Sequence, residues 1–345
     1  MADKLTRPRI ANRSGVLTGV RGAINGRLTT LINFLGDFST IVVVCVLFLF
    51  FGLTSERFFL TDNIFNIMKQ MSIVGVAATG MTMVVLIGGI DLSVGSVALL
   101  SSAITSTLIV NYGWNTWGAI GVGLLASCLV GLVNGFFVEK LLISPVIVTL
   151  GTLIAVRGLG QKVLWINNSW IEVKDPIFDY VAIEKLGFLP VITVLMFGLY
   201  LLAAVLLKQT PFGRYIYAIG GNQRAAFLSG LPVTRIKMTV YVLCALTAGI
   251  AGLLTVSRTG VVNPTLGQGL EFDAVTAVVL GGTSLAGGVG RVEKTLLGTA
   301  ILVMVLNYLT IRGVPGEWQA AVTGFLVLAA VMLDRIVRKR STQGI

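Results

Sequence analysis

LKQTPFGRYIYAIGGNQRAAFLSGLPVTRIKM, residues 207–238, decides the fold class by what it separates. Long apolar runs lie on either side, while the segment itself carries Lys208, Arg214, Arg224, Arg235 and Lys237 and no acidic residue. Its centre, GGNQRAAFLSGLP (220–232), has the marks of a short surface helix: Asn222 can accept backbone N–H bonds at the start, and Gly230 before Pro232 can end it. The residues alone fit two roles, a basic connection that fixes topology or a docking site for a cytoplasmic partner.

The flanking runs set the class. With 55% hydrophobic residues, 12% charged residues and a mean hydropathy of +0.90, most of the 345 residues belong in lipid. The stretches free of membrane-like runs are each too short for an independent domain. The expected fold is therefore all-α, a polytopic transmembrane bundle with broken helices. Spans are predicted near 36–53, 64–88, 93–110, 117–137, 145–160, 188–207, 238–256, 272–287, 295–311 and 319–334. This divides the chain into a basic N-terminal tail (1–35), a membrane domain (36–334) that contains the loop 208–237, and a basic C-terminal tail (335–345).

A net charge of +11 raises the question of nucleic acid, but the charges follow topology. Lys4, Arg7, Arg9, Arg13, Arg21 and Arg27 precede the first run, and Arg335, Arg338, Lys339 and Arg340 follow the last, so both termini are expected in the cytoplasm. The first run has no small-residue cleavage site and reads as a retained span. Cys45, Cys128 and Cys244 all lie in apolar runs, where a thiol acts as a small hydrophobe, and histidine is absent. Imidazole-based acid–base and metal chemistry are thereby removed, which weighs against an enzyme and a resident metal.

Several polar groups interrupt the apolar runs. Asp91, in VVLIGGIDLSVGSVALLSS (84–102), stands between two spans beside Gly89 and Ser93. A carboxylate at such depth either caps a broken helix or faces a solute path, and the residues leave both open. Gly269-Leu270-Glu271 repeats the pattern of Gly89-Ile90-Asp91 in a span of opposite direction, as expected where inverted halves meet. Asp91, Ser93, Asn134, Thr149, Thr152, Glu271 and Asp273 are the candidate path residues, since each is a polar group in or beside an apolar run. Asn134, Thr149 and Thr152 fit bonding between helices equally well. Lys69 and Arg157 fall within spans without an assigned partner.

GGIDLSVGS (88–96), LVNGF (132–136), SPVIVTLGT (144–152), TPFGRYIYAIGGNQRAAFLSGLPV (210–233), EFDAVTAVVLGGTSLAGGVG (271–290) and WQAAVTGFLVLAAVMLDR (318–335) together resemble the ribose/xylose/arabinose-type permeases of bacterial ATP-binding-cassette importers. The resemblance runs from about residue 38 to the C-terminus. It implies an inner-membrane subunit paired with a second permease copy, two cytoplasmic ATPase subunits that bind ATP and Mg, and a periplasmic sugar-binding protein. It also implies that 220–232 is a coupling helix, with Gly221, Asn222, Gln223, Arg224, Ala225, Ala226, Ser229 and Gly230 docking on the ATPase. Relatives often carry an acid at the position of Gln223 and a basic residue at that of Phe227.

The residues fit that role independently. No GxxxxGK[ST] loop occurs; GGVGRVEKT (287–295) lacks the Gly-Lys pair, so nucleotide hydrolysis falls to a partner. An ion-coupled secondary transporter of a small polar solute is the alternative, and it would require more titratable groups along the path than Asp91, Glu271 and Asp273.

Overall fold

The computed structural model describes residues 40–165 and 170–343. Seven helices are long and apolar enough to cross a membrane: α2 (Thr61–Leu86), α3 (Val94–Tyr112), α4 (Thr116–Glu139), α5 (Pro145–Leu164), α7 (Val191–Gln209), α10 (Val233–Thr259) and α12 (Val292–Ile311). Two further apolar helices are shorter over their described apolar part, α1 (Thr40–Thr54) and the first portion of α13 (Gly316–Gln343), which is apolar to Met332. The basic tail expected at 335–345 continues α13 as far as Gln343, while the tail at 1–35 lies outside the described residues.

The eighth expected span differs most from its prediction. The span is expected to run from 272 to 287, yet α11 covers only Leu270–Leu280, 11 residues, or about 16 Å at 1.5 Å per residue. Gly281 and Gly282 end it: a side chain at Gly281 would meet the backbone of Lys294 and Thr295, and Gly282 has φ +82°, a left-handed value that favours glycine. Half a bilayer is all that such a helix can cross.

Burial separates an inner group of helices from an outer one. Every residue of α2 from Ser72 to Leu86 is buried, and α10 packs on α2, α3 and α4. The most apolar window of α2 is 83% buried and that of α5 only 17%, so α2 is core while α5 presents apolar side chains outward, where lipid would cover them. Backbones approach closely at the α4–α10 contact, where a Cβ on Gly131 would overlap the Tyr241 carbonyl and Ala245. Within α2 the buried Thr79 and Thr82 hydroxyls bond their own helix: Thr79 Oγ1 donates to Gly75 O (2.9 Å) and Thr82 Oγ1 to Ala78 O (2.7 Å).

The loop between α5 and α7 has more structure than its polar composition suggested. β1 (Ile171–Glu172) pairs antiparallel with β4 (Val261–Val262), which follows α10, and β2 (Lys185–Leu186) pairs with β3 (Leu189–Pro190). Between them stands α6 (Pro176–Ile183). Asp175 builds this cap: Oδ1 accepts from Ile177 N (2.9 Å), and Oδ2 accepts from Thr116 Oγ1 (2.6 Å) at the start of α4. A single carboxylate thus caps one helix and ties it to another.

Candidate functional site

Two polar regions inside the bundle and one on its surface take up the expected site residues. The first forms where α2 stops. Gly88 adopts φ +76°, the chain turns, and Asp91 lies fully buried before α3. Asp91 Oδ1 accepts from Ser93 N (2.9 Å) and Ser93 Oγ (2.6 Å). Ser93 Oγ in turn accepts from Asn134 Nδ2 of α4 (2.9 Å), and Asn134 Oδ1 accepts from Thr152 Oγ1 of α5 (2.6 Å). Thr149 Oγ1 approaches Ile90 O (3.4 Å) while bonding Pro145 O (2.9 Å). Five of the expected path residues therefore join in one network that fastens the break between α2 and α3 to α4 and α5.

The two roles open to Asp91 divide between its oxygens. Oδ1 closes the turn that leads into α3. Oδ2 is buried and has no hydrogen-bond partner among the described residues, and the same is true of the Tyr241 hydroxyl of α10, which faces Gly89. Buried polar atoms without a partner are uncommon, and here two of them belong to residues packed at the same helix break.

The second region gathers at the start of α11. Gly269 is left-handed (φ +86°), and its N–H donates to Glu271 Oε1 (3.3 Å). A Cβ at Gly95, in the first turn of α3, would overlap Gly267 O and Glu271 Oε2. The start of α3 and the start of α11 touch through Gly95, beyond the Gly89-Ile90-Asp91 segment itself. Arg157, unassigned from the sequence, lies near Glu271 and directs Nη1 to the carbonyls of Pro264 (3.4 Å) and Leu266 (3.5 Å). It thus braces the loop that delivers α11 to the centre of the bundle. Asp273, one turn along from Gly269, whose carbonyl accepts from its N–H (3.0 Å), lines an adjoining cavity with Gln70 and Gln268.

On the surface, the basic connection forms α8 (Pro211–Gly221) and α9 (Gln223–Leu228). Asn222 Oδ1 accepts from Ala225 N (3.0 Å), capping α9 as its sequence suggested. Gly230 (φ +80°) closes the other end, with Leu231 N donating to Ala226 O (3.1 Å). Gly221, Asn222, Gln223, Arg224, Ala225, Ser229 and Gly230 are exposed, but Ala226 is buried and faces the protein. The most prominent exposed groups on α9 are Phe227 and Leu228 at 68% and 76%, which the sequence reading left out.

Two attachments fix this segment to the bundle. Gly220 packs on the end of α2, where a side chain would overlap Leu86 O and Gly288 N; Gly288 N itself donates to Leu86 O (2.9 Å). Tyr217 Oη donates to Gly290 O (3.0 Å), and burial together with the nearby Glu293 pushes its phenol up, so it stays a donor across the physiological range. Farther along, Lys237 Nζ of α10 pairs with Glu139 Oε1 at the end of α4 (2.5 Å) and donates to Gln223 Oε1 of α9 (3.1 Å). Glu139 and Lys237 are both buried, and neither figured among the expected site residues.

Residues 63–331 match the family described as "Branched-chain amino acid transport system / permease component". The chain is 39% identical over 313 residues to the Ribose import permease protein RbsC of Bacillus subtilis (strain 168), covering 90% of this chain and 94% of that protein. It is 36% identical to the L-arabinose ABC transporter permease protein AraH of Azospirillum brasilense (87% and 88% covered). It is 33% identical to the Fructose import permease protein FrcC of Rhizobium meliloti (87% and 85%). No solved structure matches. With the family match spanning α2 to α13 and relatives aligned over nearly their whole length, the chain belongs to this family of membrane permease components of transport systems, and is not an enzyme.

Proposed function

We propose that the chain forms the membrane path for a monosaccharide in a bacterial ATP-binding-cassette importer, with a second permease copy, a periplasmic sugar-binding protein and cytoplasmic ATPases that bind ATP and Mg. The observation that carries the reading is α9. It is a short helix capped at both ends within a basic segment, exposing Phe227 and Leu228 and held to α10 by Lys237, which donates to Gln223 and pairs with the buried Glu139 of α4. A partner that moves α9 also moves α10 and the end of α2, and through α2 the break at Asp91. Relatives at this level of identity named for ribose, arabinose and fructose import support a sugar cargo.

In this reading the bundle has ten passes with both termini in the cytoplasm of the inner membrane, α11 and its preceding loop together making the eighth crossing. α9 is the coupling helix. Closure of the ATPases on ATP tilts the inner helices, and the seam from Asp91, Ser93 and Asn134 to Glu271 exchanges partners as the path changes sides. The permease makes and breaks no covalent bond.

Reconstitution in vesicles tests this. With ATPase and loaded binding protein, sugar uptake is expected to require ATP, to stop with vanadate and to ignore proton ionophores. Ala225→Glu, which puts a carboxylate on the exposed face of α9, is expected to reduce that uptake at least tenfold without preventing membrane insertion. Uptake by the chain alone that collapses with the ionophore would instead identify an ion-coupled carrier.

A further inference from the structure

A cavity of about 810 Å³ opens beside the start of α11, walled by α2, α11, α12 and α13. We infer that it is a monosaccharide-binding site within the permease, read by Asp273, Gln70, Gln268 and Thr323. The inference rests on the sugar-import reading above and deepens it.

Volume and chemistry both support this occupant. The cavity lies within the range of small-molecule sites, with room for a pentose or hexose and accompanying water. Among the described residues, none of the side chains of Asp273, Gln70, Gln268 and Thr323 has a hydrogen-bond partner, although all four line the space. Gln319, on the α13 wall, is different: Nε2 donates to Val314 O (2.9 Å) and Oε1 accepts from Thr310 Oγ1 (3.4 Å), so it shapes the wall and holds the helix start. The free groups form a set suited to a polyol. A carboxyl group accepts, and donates as well when protonated; an amide both donates and accepts, and a threonine hydroxyl does either, whereas each sugar hydroxyl offers one donor and one acceptor face. Phe272, 52% exposed, together with Leu306, Val327 and Leu328, supplies an apolar side for the C–H face of the ring.

Other occupants fit less well. A lipid chain gives Asp273 nothing to bond, and a carboxylate facing lipid is expensive. A bound metal ion is disfavoured because no group of three or more acidic or sulfur ligands occurs among the described residues. The site also sits where a sugar in transit would pass: Gly269 and Asp273 flank the same turn whose Glu271 touches Gly95 at the start of α3, one step from Ser93 and Asp91.

The test uses the complete importer in proteoliposomes, with D-ribose, L-arabinose and D-fructose each supplied at a series of concentrations. Asp273→Asn keeps the shape of the side chain and removes the charge; Gln268→Leu changes an exposed loop residue that does not hold the fold. Each is expected to lower uptake of the sugar imported by the wild type at least tenfold and to change the ratio of rates among the three sugars. ATP hydrolysis stimulated by the loaded binding protein is expected to stay within about twofold. A lesion of folding or docking would lower hydrolysis and all three sugars together. Unchanged uptake and unchanged ratios in both variants, with an active wild type, overturn the site while leaving the permease reading intact. A wild type that imports none of the sugars overturns the reading itself, and the site with it. If Asp273→Asn does not assemble, Gln268→Leu and Phe272→Ala give the same decision.

Discussion

Lys237→Met is expected to destabilise the protein by about 3 kcal/mol or more, the cost of leaving one member of a buried ion pair without its counterion. Glu139 and Lys237 are each less than a tenth exposed, at 8% and 9%, and their contact is 2.5 Å, so the abandoned carboxylate is left largely out of water. Thermal unfolding of the detergent-purified chain measures the loss. The double variant Lys237→Met with Glu139→Gln is expected to recover most of it, because the remaining partner is then uncharged and no ion is stranded. Transport is expected to separate from stability. Gln223 still loses its bond from Lys237 Nζ in the double variant, so α9 is no longer held to α10, and ATP-driven uptake should stay at least tenfold low in a protein that folds normally. A single variant as stable as the wild type would show that the pair is solvated and does not anchor α9.

Gly220→Ala is the second large effect, and its neighbour supplies the control. An added methyl at Gly220 meets Leu86 O and the Gly288 backbone, none of which is a flexible side-chain end, so α8 must move away from the end of α2. Overpacking of this kind costs about 1–3 kcal/mol. Gly221 has nothing within 4 Å of the same position, and alanine there is expected to be neutral or slightly stabilising because it lowers the freedom of the unfolded chain. The difference in melting temperature between the two alanine variants isolates the packing contact from helix propensity. Equal temperatures would mean that α8 does not bear on α2, and the mechanical route from α9 to Asp91 would lose its first link.

The parts of the site that could be read from the sequence share one physical property: a polar group stood alone in apolar surroundings. Asp91, Ser93, Asn134, Thr149 and Thr152 were each visible in this way, and all five meet in one network. The caps of α9 were legible for a local reason, since Asn222 and Gly230 bond within a few residues of themselves. Pairings between distant residues were not. Glu139 closed a span and Lys237 sat in a loop rich in cations, and nothing in either neighbourhood indicated the other. The expected span ran on through Gly281-Gly282 to residue 287; α11 stops at Leu280 because Gly282 is left-handed and Gly281 packs on α12, the latter a tertiary cause. The small structures around α6 followed from Asp175 and Pro176, a local cap signal inside a segment otherwise read only as a loop. Asp273 was legible as a polar residue, but its place in the cavity was not, because that depends on which way α11 faces.

The central claim is that α9 is the inner-face contact for a nucleotide-driven partner, and cysteine accessibility tests it most directly. Leu228 is 76% exposed, so Leu228→Cys in a chain with Cys45, Cys128 and Cys244 replaced by alanine places a single reactive thiol on the proposed contact. A membrane-impermeant maleimide is expected to label it in inside-out vesicles and not in intact spheroplasts, and bound ATPase is expected to slow labelling at least tenfold. Labelling from the periplasmic side, or an unchanged rate in the presence of the ATPase, would contradict the account.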